Sequence, residues 1–339
     1  MSSRDNHSPQ ALLGDQRSLS AEARKEIRAL MGARPREFLM YALGAWATIG
    51  ITIAIAVHVS SMWMDLLAIV IIGTRLNILA LLVHEQTHSV GIKGRYGDVI
   101  ANLLSAYPLG VTVEDYARVH LLHHQFFLTE GDPDFHRKSG SDWIFPMPYS
   151  SLLKLFLKDL TGLSFIELLK GKRIEHKSVH RRRHPSPKWL RPAFYALGAL
   201  LLTYTGGWHS FLVYWILPLV FVFPAVVRVS AICEHVYDLP PGAGVTQSSP
   251  IILLRWWEKM LLPDLNFKLH AYHHFFPGIA FCHLPKVHEI FRRERLVDES
   301  AVFHGFFSYF KYLQSTPSRP RTSSVSTLFE HSSERELNH

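Results

Sequence analysis

The 339-residue sequence predicts an all-α integral membrane protein: four transmembrane helices in two hairpins, with a helical cap on the cytoplasmic side. Three observations predict it. Apolar residues gather into long blocks poor in charge, minimal turns join these blocks in pairs, and basic residues avoid the turns. At 48% hydrophobic and 19% charged, the chain is also poorer in charge than ordinary soluble proteins.

Residues 1–37 are polar, with no apolar stretch of the kind a secretory signal needs. Residues 1–18 are expected to be disordered, and Ser18 or Ser20 to cap a short helix over residues 21–31. Residues 38–59 are uncharged and long enough to cross a hydrocarbon core of roughly 30 Å. Residues 62–83 form a second such block, with Asp65 near one end and Arg75 in its interior. Residues 192–208 and 211–233 supply the third and fourth spans, around a tight turn at Thr205-Gly-Gly-Trp-His209. Pro218 and Pro224 are tolerable there because neighbouring groups in a bundle re-satisfy the freed carbonyls. Lys154, Lys158, Asp159, Gly162 and Glu167 interrupt residues 152–169, which predicts an amphipathic helix on the bilayer surface instead of a span. The membrane domain is thus expected over 38–314, with a cytoplasmic segment at 1–37 and a disordered tail at 315–339.

Charge sets the orientation. Of 36 Lys and Arg, residues 1–37 hold 7, residues 84–191 hold 16 and those after Cys233 hold 11. The other two, Arg75 and Arg228, lie inside spans. The positive-inside rule then puts both termini and the long middle loop in the cytoplasm. Topology accounts for the net charge of +8, and nucleic-acid binding loses its main support. Only Cys233 and Cys282 occur, without a CxxC, which argues against a disulfide framework.

The 21 histidines are the unusual feature. Eight fall in three clusters: His84-Glu-Gln-Thr-His88, His120-Leu-Leu-His123-His124 and His270-Ala-Tyr-His273-His274. Helical neighbours three and four apart share a face, so each cluster is expected to aim two or three imidazoles at one point. All three clusters fall on the cytoplasmic side and can converge. By contrast, His58 and His209 read as satisfied interior groups, and His136, His283 and His288 as surface groups or groups beside the site. Imidazole suits Zn, Cu, Fe and Ni, so ligand type does not choose the metal. Eight imidazoles nonetheless exceed what one zinc takes. Two metals sharing eight or nine histidines, with open positions for oxygen, use the count. A zinc protease built on His84 and His88 with Glu85 as general base would leave two clusters unexplained. A metal transporter would hold its ligands near mid-membrane, whereas these lie at or beyond span ends.

HExxH, HxxHH and HxxHH, in this order around two hairpins, resemble the membrane fatty acid desaturase family with its related hydroxylases and ketolases, over residues 38–310. Tyr116-Ala-Arg-Val-His120, Gly131-Asp-Pro-Asp134, Asn266, His274-Phe-Phe-Pro277 and His283-Leu-Pro285 look most like the bacterial branch that includes dihydrorhizobitoxine desaturase. The resemblance implies a bacterial cytoplasmic membrane, two iron ions and O2 as co-substrate. It also implies attack on an unactivated C–H bond of an acyl chain or acyl-like lipid. A double bond is the implied product; hydroxylation of a lipid, or hydroxylation or ketolation of a carotenoid, would use the same site. The implied ligands are His84, His88, His120, His123, His124, His270, His273 and His274. His235 matches a ninth ligand that the family takes from a helix end before its third box. Asn266 matches a position tied to a metal-bound water, a turn or cap role being the alternative. Glu85, Asp132, Asp134, Glu234 and Asp264 are candidates to orient ligand N–H groups and offset the iron charge. Around Pro133 a plain turn is the competing reading. The sequence departs from the family where its third box often carries Glu, because Tyr272 stands there. No rubredoxin-type CxxC pair, dinucleotide fingerprint or HPGG haem motif occurs, which implies a separate ferredoxin or cytochrome as electron donor. A substrate tunnel is expected near Arg75, Tyr204, Trp215 and Arg228. Residues 172–188 are expected to meet anionic headgroups or an acidic electron carrier.

Overall fold

The computed structural model of the chain describes residues 10–138, 140–170 and 182–315. The tail from 316, residues 1–9 and most of the basic stretch 172–188 lie outside the described residues. The described chain is mostly helical. α1 (Ala21–Leu30) starts where the Ser20 hydroxyl accepts the Ala23 N–H, as a serine cap does. α2 (Pro35–Val59) and α3 (Met62–Thr87) form a hairpin closed at Ser60, whose left-handed backbone ends α2. Next come α4 (Val113–Gln125), α5 (Tyr149–Leu160), α6 (Leu190–Thr205) and α7 (Trp208–Glu234). Three shorter helices complete the frame: α8 (Trp256–Leu261), α9 (His270–Phe275) and α10 (Leu284–Arg293).

Among the described residues, α2, α3 and α7 are long and apolar enough to cross a membrane. α6 falls short of the span expected over 192–208. Its 16 residues reach about 24 Å against a core of roughly 30 Å. The cause is Gly206, whose left-handed backbone ends the helix, so the last expected residues form the turn and open α7. Within α7 two π-helical turns, Leu212–Ile216 and Pro218–Val222, widen the helix. The second opens on Pro218, whose missing N–H leaves a carbonyl to be satisfied otherwise.

α3 is the axis of the bundle, burying Ala68, Ile72, Leu76, Leu79 and Leu82 among the apolar residues of α2 and α7. At Gly73 a Cβ would lie 2.4 Å from Val222 Cγ1, so glycine alone permits this approach of α3 to α7. The interrupted apolar stretch folds as two helices, α5 and Leu163–Lys170, instead of the single helix expected, because the chain turns at Gly162 on left-handed backbone. Asp159 of α5 is buried and takes Arg228 of α7 through both oxygens, at 2.5 and 2.8 Å. Arg228 is thereby committed to an ion pair, and Tyr204 is exposed on α6. Arg75 donates to the Met260 carbonyl of α8, and Trp215 stacks on Trp46 while donating to the Pro108 carbonyl.

A two-residue parallel pair, Ile252–Leu253 with Phe303–His304, departs from the all-α expectation. A second core of Leu12, Ile27, Tyr272, Leu284, Val287 and Phe291 joins α1, α9 and α10. His58 and His209, expected to be interior, are exposed instead.

Candidate metal centre

Four chain segments carry the clustered histidines, each locally fixed. His84 sits in the last turn of α3 and His88 caps it. Carbonyls at a helix C-terminus lack intrahelical donors. Arg182 supplies them, from Nη1 to the Thr87 carbonyl at 2.6 Å and from Nη2 to the Gln86 carbonyl at 2.9 Å. The same guanidinium forks onto Asp98, at 2.7 and 2.5 Å. α4 begins at Thr112, whose hydroxyl accepts the Asp115 N–H, and Asn102 Oδ1 accepts the Val113 N–H. α9 is reached through left-handed Leu265 and Asn266, followed by the tight turn Phe267–Leu269. His235 directly follows α7 on extended backbone.

The structure sorts nine histidines into two groups. His84, His88, His120, His124 and His273 form one; His123, His235, His270 and His274 form the other. Within each group the ligand atoms lie within 4.8 Å of one another. The groups adjoin where the rings of His124 and His274 stack, 4.2 Å between centroids.

Each HxxHH cluster is divided between them. His120 and His124, spaced i and i+4, enter one group, while His123 crosses to the other. His270 and His274 likewise stay together and His273 crosses. Helix geometry explains this: at about 100° per residue, i+4 lies about 40° from i, and i+3 about 60° to the other side. Two imidazoles of each cluster thus meet at one point, as the spacing suggested, and the third goes to the other group.

The nitrogen spacing tests whether metal ions fit. Nε2 atoms face one another at 2.9 Å (His88–His120), 3.0 Å (His120–His124) and 3.2 Å (His124–His273). In the second group the separations are 3.0 Å (His235–His274) and 3.2 Å (His270–His274). Two imidazole nitrogens bound at about 2.1 Å and at right angles would lie about 3.0 Å apart. His84 is buried with no hydrogen-bond partner on either ring nitrogen, a cost that a cation would remove. The residues therefore fit a pair of metal ions.

Burial favours the neutral form of seven of these imidazoles, the form a ligand must take. His88 is pushed down to about 3 by burial and then by Arg182. Burial first, then neighbouring imidazoles, hold His120, His124, His235, His270, His273 and His274 well below the ordinary histidine value. Phe267 stands edge-on to His84 at 4.6 Å, and Phe127 lies 4.7 Å from His274, so apolar rings wall both groups.

The other expected site residues scatter. Asp132, wholly buried, meets His123 Nδ1 with both oxygens, at 3.0 and 2.9 Å. It also accepts the Leu128 and Asp134 N–H groups, the bonds of a turn residue. Asp134 pairs with Arg137 and Lys138, which outweigh the upward push of burial and hold its carboxyl well below the carboxylate range. Glu234 accepts the Ser230 hydroxyl. Glu85 is buried; one oxygen accepts the Phe281 N–H and the other has no partner. Asp264 accepts the Lys268 N–H, and burial raises its carboxyl. Asn266 accepts from Lys259 and donates to the Phe281 carbonyl, bonds that suit a turn residue.

The sequence reading missed three contacts. Ser249 Oγ meets His235 Nδ1 at 2.8 Å, and the Tyr116 ring stacks on His120. Tyr272, in place of the family's frequent acid, bonds His288 Nδ1 at 2.8 Å inside the α9–α10 core. Tyr116 and Tyr272 left a signal, one opening a quoted motif and the other standing where the third box departs from the family, whereas Ser249 left none.

Fold and site together define a membrane protein with two adjoining histidine groups that fit metal ions. The sequence model of the fatty acid desaturase family matches residues 60–307, and the chain belongs to that family. Membership makes it an oxidoreductase of lipid metabolism in a membrane setting. No curated protein matches the chain.

Proposed function

We propose that the protein is a membrane-bound desaturase that introduces a double bond into a fatty acyl chain or acyl-like lipid. The convergence of nine histidines into groups of five and four carries this reading. Each group would hold one iron ion, through His84, His88, His120, His124 and His273 on one side and His123, His235, His270 and His274 on the other. With O2 and two electrons, such a pair supplies the oxidising power needed at an unactivated C–H bond.

The chain's own part is positioning and exclusion of water. Asp132 takes the Nδ1–H of His123 and leaves its Nε2 lone pair for the metal, and the Ser249 hydroxyl does the same for His235. Phe127 and Phe267 keep water from the two groups. Asp132 and Glu85 offset positive charge that nine neutral imidazoles leave uncompensated. Electrons come from a separate ferredoxin or cytochrome. α6, short as it is, is read with α7 as the second hairpin of a four-span topology, with both termini and the histidine groups in the cytoplasm. The bilayer is the cytoplasmic membrane of a bacterium, and the branch is the one that includes dihydrorhizobitoxine desaturase.

Lipid analysis of a host with and without the protein tests the reading. A new double bond in an acyl chain is the expected result, lost in His84→Ala. A hydroxylated or ketolated product instead would keep the site and overturn the desaturase assignment. One zinc per chain, no iron, and activity surviving His123→Ala would overturn the site as well.

A further inference from the structure

The helix α8 is inverted relative to a water-facing helix. There, apolar side chains pack inward and charged ones face out. Here the only buried side chain is a carboxylate, Glu258, which accepts the Arg255 and Phe306 N–H groups. Trp256, Trp257, Met260 and Leu261 are instead 74, 42, 61 and 61% exposed, and Phe307, beside the Phe306 contact, is 81% exposed. Four large apolar side chains of α8, and Phe307 next to the residue that bonds Glu258, are thus left uncovered among the described residues.

The depth of α8 says what covers it. Arg75, thirteen residues into α3, donates to the Met260 carbonyl, so α8 is tied to a membrane-crossing helix about 20 Å from its start. The hydrocarbon core is roughly 30 Å thick, so this level falls inside its boundary on the histidine side. Interfacial helices sink to about this depth, 5–10 Å below the headgroups. Exposed Arg255 and Lys259 flank the aromatic residues, and their long side chains can keep charge at the phosphates while their stems cover apolar surface. We propose that α8 and Phe307 form an insertion surface for the bilayer on the histidine side, in addition to the spans. This rests on the membrane placement of α2, α3 and α7.

Cysteines introduced one at a time at Trp256→Cys, Met260→Cys and Phe307→Cys, in a Cys282→Ser background whose remaining Cys233 is buried, test it. The full chain is labelled with a fluorophore and reconstituted into phosphatidylcholine–phosphatidylglycerol vesicles. Labels at Ile51→Cys on α2 and Leu13→Cys near the N-terminus are the references, both residues being exposed. Spin-labelled lipid is expected to quench the three test sites several-fold more than aqueous iodide does, as at residue 51, with the reverse at residue 13. Test sites that follow residue 13 overturn the proposal, and so do sites that neither agent quenches, because a protein partner would then cover the face. If residue 51 itself follows residue 13, the membrane placement fails first.

Discussion

Asp132 and His123 meet through both carboxylate oxygens and a single ring nitrogen, with neither side chain open to solvent. A carboxylate beside Nδ1 favours the tautomer with its lone pair on Nε2, and His123 is grouped with His235, His270 and His274. Asp132→Asn keeps an acceptor but removes the charge. It is expected to lower retention of one ion of the pair about 10–100-fold, read as metal content after dialysis against a graded chelator. Equal retention in the variant and the parent would rule out this role.

The crossing of His123 and His273 makes a second prediction. His120→Ala and His123→Ala change neighbouring residues of one helix yet should disturb different ions, because the two rings enter different groups. His270→Ala and His273→Ala should differ in the same way. Iron-sensitive spectroscopy of the loaded variants checks it: identical residual spectra within either pair would contradict the sorting.

Arg182 joins the loop before α6 to the end of α3, and its ion pair with Asp98 is largely buried. Breaking such a pair by removing one partner costs about 3–5 kcal/mol. Arg182→Ala is therefore expected to lower the unfolding temperature in detergent and to weaken metal retention at the group holding His88. Arg182→Lys should restore little, since a lysine cannot reproduce the fork onto Asp98 and two carbonyls.

Stability of the metal-free protein should depend on pH with a definite sign. His88 is held at about 3 by burial and Arg182, and six other clustered histidines are also depressed, whereas the unfolded chain protonates near 6.5. Between these values the unfolded chain binds more protons, so folding stability is full above 6.5 and falls as pH drops toward 3. Each such histidine adds a slope of about 1.4 kcal/mol per pH unit. Thermal unfolding of metal-free protein from pH 7.5 to 5 checks this, and a flat profile would contradict it.

Much of this was legible because helical spacing and apolar length are local properties of a chain. The i, i+4 pairs His84–His88, His120–His124 and His270–His274 each stay in one group, and α2, α3 and α7 lie where the long apolar blocks lie. Contacts set by tertiary approach were not legible. Arg182 meets Asp98 across 84 positions, and Ser249 meets His235 across 14 through the fold of an irregular segment. The short reach of α6 follows from one backbone angle at Gly206. The outward face of α8 was hidden by its length, since six residues are too few to show a membrane pattern.

Because α4 and α9 each hand a ring to both groups, the gap between the groups is measured out by helical twist. No loop has to set that distance. The two helices act as cross-ties, so a residue inserted within either should throw both halves out of register together, while insertions in the connecting loops should leave the spacing intact.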